Sequence, residues 1–247
     1  MICEAAMEIL KGLEKEYGFT YPELYYKLHS DGMLEPYAAK EADAIDEFEI
    51  GTNQSLAEKL KNQSGVIPFL SAISIIRVLP VDRIRYRLTE SYIGENIDRT
   101  HKLIPFAIDS AGAWYAFLFR QQKGGDVPVA LVWDDCDEVV VLAKNLEDFI
   151  FLQMLEAAAV IYSDVDLEQR RKELLDMVAT HAPYLSSKYI ELLNEVYGRE
   201  FFSTFHQPSE HYSYTSWHLI GNEELKRLKK ELLDFELMGE TFQWLRE

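Results

Sequence analysis

The chain is short of cysteine, of basic charge and of uninterrupted apolar sequence, and each shortage removes a class of answer. Two cysteines, Cys3 and Cys136, are too few for a disulfide framework and stand at no metal-ligand spacing. Against 42 acidic side chains there are 25 basic ones. The resulting net charge of −17 repels nucleic-acid phosphates and anionic membranes and attracts cationic proteins. The apolar run Phe149 to Tyr162 is broken by Gln153 and Glu156 and falls short of a membrane span. The opening MICEAAMEILKGLEKEYG carries acids where a secretion signal needs bases, so a cytoplasmic protein is expected. Also missing are a P-loop, a Rossmann glycine fingerprint, a G-x-S-x-G elbow and an HExxH pair.

What is present describes a folded protein. With 247 residues, 48% hydrophobic and 13% aromatic, the chain has ample core material for one domain or one and a half. Its organising stretch runs from Leu103 to Ala158. LIPFAIDSAGAWYAFLFR and PVALVWDDCDEVVVLAKN read as a meander of strands, followed by an apolar helix from Asn145 to Tyr162. Asp109-Ser110-Ala111-Gly112 and Gly124-Gly125-Asp126 supply the residues that tight reversal needs, and Asp134-Asp135-Cys136-Asp137 is an acidic break between two β-rich runs. Asn145 is placed to cap the helix, with Asp148 three residues on as in a capping box. That helix is apolar nearly all round, so it must be covered on more than one side.

Upstream, Ile2 to Tyr17 has the spacing of an amphipathic helix ended by Gly18. Pro22 opens a second helix that closes at Asp31-Gly32, with Tyr21, Tyr25 and Tyr26 expected in the core. Lys40 to Gln63 reads as one or two surface helices, and ISIIRVL, before Pro80, as a strand. Between Asp82 and Arg99, four arginines alternate with tyrosines in a pattern that can mark nucleic-acid binding. Here Asp82, Glu90, Glu95 and Asp98 offset them, and a solvated helix or loop is expected instead.

Taken in order, TYPELYYKLHSDGM, LIPFAIDSAGAWYAF, PVALVWDDCDEVVVLAKNLEDFI and FLQML resemble the SMI1/KNR4 or SUKH superfamily. The matching positions are Pro22, Leu24, Asp31 and Gly32; Ile104, Pro105, Phe106, Ala107, Asp109 and Gly112; Pro128, Val129 and Trp133; and Leu142, Ala143, Phe149 and Leu152. Met33, Ala113 and Phe119-Arg120 depart from the pattern, where the family often has glycine, an acid and Leu-Asp. The resemblance implies an α+β fold, an antiparallel-rich sheet with helices on one side, over residues 1–160. It also implies a binding module without catalysis: many bacterial members resemble immunity proteins that neutralise toxins, often nucleases, and fungal members resemble regulatory interaction proteins.

Residues 161–247 lie beyond the resemblance and read as a mainly helical C-terminal extension, expected to pack on the first domain. Helices are expected from Asp164, from Ser186 or Ser187 to Tyr197, and from Asn222, with a strand in HYSYTSWHLI. His206, His211 and His218 with Glu210 invite a metal reading. Pro208 keeps His206 and His211 off one helix, and their odd spacing puts them on opposite faces of a strand. The acidic turn Asp134, Asp135, Asp137 and Glu138 lacks the Gly-centred loop of a calcium site.

The expected function is therefore stoichiometric capture of a basic protein partner, with no catalysis, no cofactor and no metal, and with neither nucleic acid nor membrane as ligand. Asp109, Trp114, Trp133, Asp134 and Asp135 are the expected contact residues. Two other classes stay open: a metal-dependent hydrolase using the acidic turn or the histidine cluster, and a housekeeping scaffold.

Overall fold

The computed structural model describes residues 2–34, 69–70, 76–90, 92–109, 111–133, 135–162, 166–209 and 212–245. The stretch Lys40 to Gln63 lies outside them, as do Ile73 to Ile75 of the ISIIRVL segment, whose Arg77–Val78 forms a strand. The chain forms two compact units: residues 1–149 with 235–247, and residues 150–234.

The first unit is built on a six-stranded antiparallel sheet in the order β1-β2-β3-β4-β5-β9. Its strands are β1 (Arg77–Val78), β2 (Leu103–Ile108), β3 (Trp114–Leu118), β4 (Val129–Val132), β5 (Glu138–Ala143) and β9 (Thr241–Gln243). β2 to β5 are the expected meander, each strand pairing with the next in sequence. The turns between them are local: Gly112, Gly124 and Gly125 take positive φ values of 94°, 62° and 94°, where a Cβ would strain the chain. β9 is different in kind. The last residues return to the meander and pair with β5, Val139 facing Phe242.

Among the described residues four helices accompany this sheet: α1 (Ile2–Tyr17), α2 (Glu23–Ser30), α3 (Val81–Thr89) and α4 (Tyr92–Asn96). A fifth, α5 (Leu146–Ala157), begins in this unit. Asn145 caps it as expected, its Oδ1 accepting from the Asp148 main-chain N–H at 2.9 Å. Aromatic rings fill the layer between helices and sheet. Tyr25 of α2 lies 5.3 Å from Phe117 and Phe149 of α5 lies 5.1 Å from Tyr115, with Phe106 edge-on to Phe149. Phe106 reaches that layer because a bulge between Pro105 and Ala107 leaves it unpaired in the β2–β3 ladder. Tyr21 and Tyr25 are buried, as the sequence suggests. The arginine-rich stretch is α3 and α4, with Ile84 and Leu88 turned inward and Arg85 paired to Glu16 at 2.7 Å.

The second unit holds the rest of α5 with α6 (Leu167–His181), α7 (Ser187–Tyr197) and α8 (Asn222–Leu232). It also has a three-stranded sheet, β6-β8-β7, made of β6 (Ile161–Tyr162), β7 (Phe202–Ser209) and β8 (Tyr212–His218). Here Phe151 stacks on Tyr189 at 3.9 Å, and the Tyr197 hydroxyl donates to the Met154 carbonyl at 2.6 Å. Arg171 donates to the carbonyls of Tyr197 and Arg199, closing α7.

Three expectations need correcting. α5 ends at Ala157 and not at Tyr162, because β-branched Val160 and Ile161 lead into β6, which pairs with β8. Asn222, by residue type an expected helix cap, begins α8 after the cap Gly221, and Arg227, which stands four residues from Glu223, pairs with Glu231 at 2.9 Å instead. Phe202 to Ser209, for which the sequence predicts no element, forms an eight-residue strand. The α+β fold stands.

Candidate protein-binding surface

Four of the five expected contact residues, Asp109, Trp114, Trp133 and Asp135, lie around two turns of the sheet, and those turns are held in different ways. Asp109 spends its side chain on its own loop. Its Oδ1 accepts from the main-chain N–H groups of Ala111 at 2.8 Å and Ala113 at 2.9 Å, closing the β2–β3 reversal. Arg77 and Arg87 also lie near this end of the sheet. Burial, and then the neighbouring Arg87 charge, push the Arg77 guanidinium down from its usual range, while Asp109 opposes that shift. This corner carries cationic charge beside its acid.

Trp114 is not a surface residue. It is 1% exposed at the start of β3, with the Arg87 guanidinium 5.8 Å above its ring. β3 alternates apolar residues on both faces, so burial extends to the Trp114 side as well. A buried indole offers a partner no contact surface, and Trp114 leaves the set of contact residues.

The acidic turn is organised otherwise. Asp134 lies outside the described residues, whereas Asp135, Cys136, Asp137 and Glu138 are all exposed and Trp133 is half-buried. Cys136 is a free thiol. The turn is fastened through its main chain. Buried Trp244, just past β9, donates its indole N–H to the carbonyls of Trp133 at 3.2 Å and Cys136 at 3.1 Å. The Trp244 main-chain N–H reaches the Asp137 carbonyl at 3.1 Å. The Trp133 main-chain N–H in turn donates to the Glu138 carbonyl at 3.1 Å. Backbone groups take all of this bonding, so the carboxylates stay free. Among the described residues, Asp135, Asp137 and Glu138 have no ion-pair partner.

This contrasts with acids elsewhere in the chain. Asp126, at the Gly124-Gly125 turn, is bound by Lys144 at 2.8 Å and by the Asn145 amide at 2.8 Å. Those two contacts outweigh its partial burial and hold its carboxyl below the usual range. Glu224 is tied to Arg199 at 3.0 Å.

Residues 5–151 match the family model for the SMI1 / KNR4 family (SUKH-1). The chain belongs to the SMI1/KNR4 family. No curated protein and no solved structure matches it in the corresponding searches. Of the positions that depart from the family pattern in this SUKH-1 chain, Met33, Ala113 and Phe119 lie in the core, Phe119 stacking on Phe19 at 4.3 Å, while Arg120 is exposed.

The hydrolase alternative rests on the acidic turn or the histidine cluster. His206 and His218 do come together, bridged by Ser216: His206 Nε2 lies 2.7 Å from its hydroxyl and His218 Nε2 2.9 Å. His218 Nδ1 donates to the Ala159 carbonyl, so the Nε2 of a neutral His218 accepts from the Ser216 hydroxyl. Such a relay resembles an activated serine, but Ser216 is 2% exposed and has no room for a substrate. His211 and Glu210 lie outside the described residues. Among the described residues no three His, Cys, Asp or Glu side chains gather as metal ligands, and no helix is long and apolar enough to cross a membrane.

Sequence reasoning missed Trp244. A signal existed in TFQW after Gly239, an alternation of β-formers and aromatics, but three strand residues are too few for a period to stand out.

Proposed function

We propose that this SUKH-1 protein is a stoichiometric binding module that neutralises a basic protein, in the manner of a bacterial immunity protein occluding a nuclease-type toxin. The observation carrying this reading is the turn at Asp135, Asp137 and Glu138: exposed carboxylates without ion-pair partners among the described residues, on a main chain held by hydrogen bonds from Trp244. Rigid, unpaired charge is what electrostatic docking uses. It costs little ordering entropy on binding, and the field of a −17 chain steers a cationic partner from beyond contact distance. Trp133, half-buried beside the turn, adds an aromatic anchor next to the charge. Asp134 belongs to the same turn by sequence. Asp109 takes a lesser part, because its carboxylate already serves its own loop.

The reading is tested by asking whether a toxin module is encoded beside the gene and, where one is, co-producing this protein with it. Growth rescue together with a one-to-one complex that salt weakens supports it. A neighbouring module whose toxicity and mobility on a sizing column are unchanged by this protein contradicts it.

A further inference from the structure

We propose that β7 is a docking edge for a second copy of this chain, joined strand to strand about a two-fold axis. In the three-stranded sheet β7 has β8 on one side and, among the described residues, no strand on the other. An edge strand leaves every second N–H and C=O without a ladder partner, and monomeric proteins normally blunt such an edge with lysine or other charge. Here the blunting is weak. Neither Phe202–Ser209 nor Tyr212–His218 contains Asp, Glu, Lys or Arg. The hairpin instead exposes large apolar side chains: Phe205 is 66% exposed, Tyr212 61% and Phe202 45%. Pro208 removes one N–H near the tip and confines pairing to Phe202 through Gln207, and proline is tolerated at such an edge.

Charge argues for a second copy as the occupant. Across most surfaces of a −17 chain two copies would set acid against acid, whereas the hairpin strands are neutral and oppose no like charges. An antiparallel edge is also self-complementary under two-fold symmetry. With the axis normal to the sheet and centred on Phe205, each Phe205 meets its own copy, Thr204 meets His206, and Ser203 meets Gln207. Main-chain bonds would supply the affinity and the paired rings the register. Two Phe205 rings and two six-residue edges remove on the order of 1,000 Å² from water, near the lower limit for a specific interface, so the dimer is a weak one.

Sedimentation velocity on the full chain, over a concentration series at low and high salt, tests this. Dimerisation should grow with concentration and strengthen with salt, because screening relieves the repulsion between two acidic copies. Phe205→Lys and Thr204→Lys, both at exposed positions, should each weaken it tenfold or more with an unchanged circular dichroism spectrum. A monomer at all salt concentrations up to about 100 μM overturns the proposal. So does a dimer that survives both substitutions. Salt acts here in the opposite sense to its effect on capture of a basic partner, so this inference and the toxin-binding reading can fail independently.

Discussion

The indole N–H of Trp244 donates to the main-chain carbonyl of Cys136 at 3.1 Å, across more than a hundred residues of sequence. The bond lets the end of the chain hold the acidic turn without touching its carboxylates. Trp244→Phe removes the donor and leaves the carbonyls of Trp133 and Cys136 without it. It should cost about 1–2 kcal/mol. Trp244→Ala adds a cavity at a fully buried site and should cost about 3–5 kcal/mol. Urea unfolding midpoints separate the two, and equal midpoints for wild type and Trp244→Phe would remove the turn's anchor from the account.

The exposed acids should behave as charge and nothing else. Asp135→Asn, Asp137→Asn and Glu138→Gln together break no ion pair among the described residues, so stability should stay within about 0.5 kcal/mol. Association with the basic partner should slow by roughly tenfold, with a shallower salt dependence. Asp109→Ala should do the reverse, losing about 1–2 kcal/mol of stability through its two N–H contacts and affecting binding less. Stopped-flow association rates and thermal melts together distinguish the two classes.

Acid should destabilise the fold through two buried histidines. Burial lowers His181 to about 4 against the opposing hydrogen bond to the Met177 carbonyl, and burial alone lowers His29 to about 4. Folded pKa values below the ordinary 6.5 mean that the unfolded chain binds more protons between these limits. Stability is therefore fully present above about pH 6.5 and falls as pH drops toward 4, by on the order of 3 kcal/mol for each histidine. Urea midpoints measured across this window should decline. His181→Phe should flatten the decline even if it lowers the plateau, and an unchanged slope in that variant would rule His181 out as a source.

Gly94 is required by a close approach and not by its backbone conformation. A Cβ there would lie 2.3 Å from the Arg87 carbonyl oxygen and 2.5 Å from the Leu88 carbonyl carbon, both backbone atoms that cannot rotate away. Gly94→Ala should force α4 away from α3 and cost about 3 kcal/mol or more. Gly12→Ala, where a Cβ would meet nothing within 4 Å, is the control and should stabilise α1 slightly. Thermal melts of the pair give the comparison.

Local chemistry made much of this fold legible. The meander could be read because its turn residues and β-branched runs alternate, and the start of α5 because Asn145 and Asp148 stand at capping distance. Elements defined by a distant partner could not be read. β7 is poor in aliphatic residues and contains Pro208, so its extended form comes from pairing with β8. β9 owes its identity to β5, a hundred residues earlier. The alanines at the end of α5 suggested further helix, and pairing of Ile161 with Trp217 decided otherwise. At the candidate surface, composition located the acidic turn, but it could not show that Trp114 is buried or that Asp109 is committed to its own loop.

The central claim is that fixed, unpaired acids on this SUKH-1 domain capture a cationic protein without chemistry. Isothermal titration of the full chain against a basic nuclease-type toxin module of the proposed kind, in an inactivated form and at two salt concentrations, tests it most directly. The account predicts one-to-one binding that weakens at the higher salt and is largely lost in the Asp135→Asn, Asp137→Asn, Glu138→Gln variant. Binding of equal strength in that variant, or no heat of binding at either salt, would contradict it.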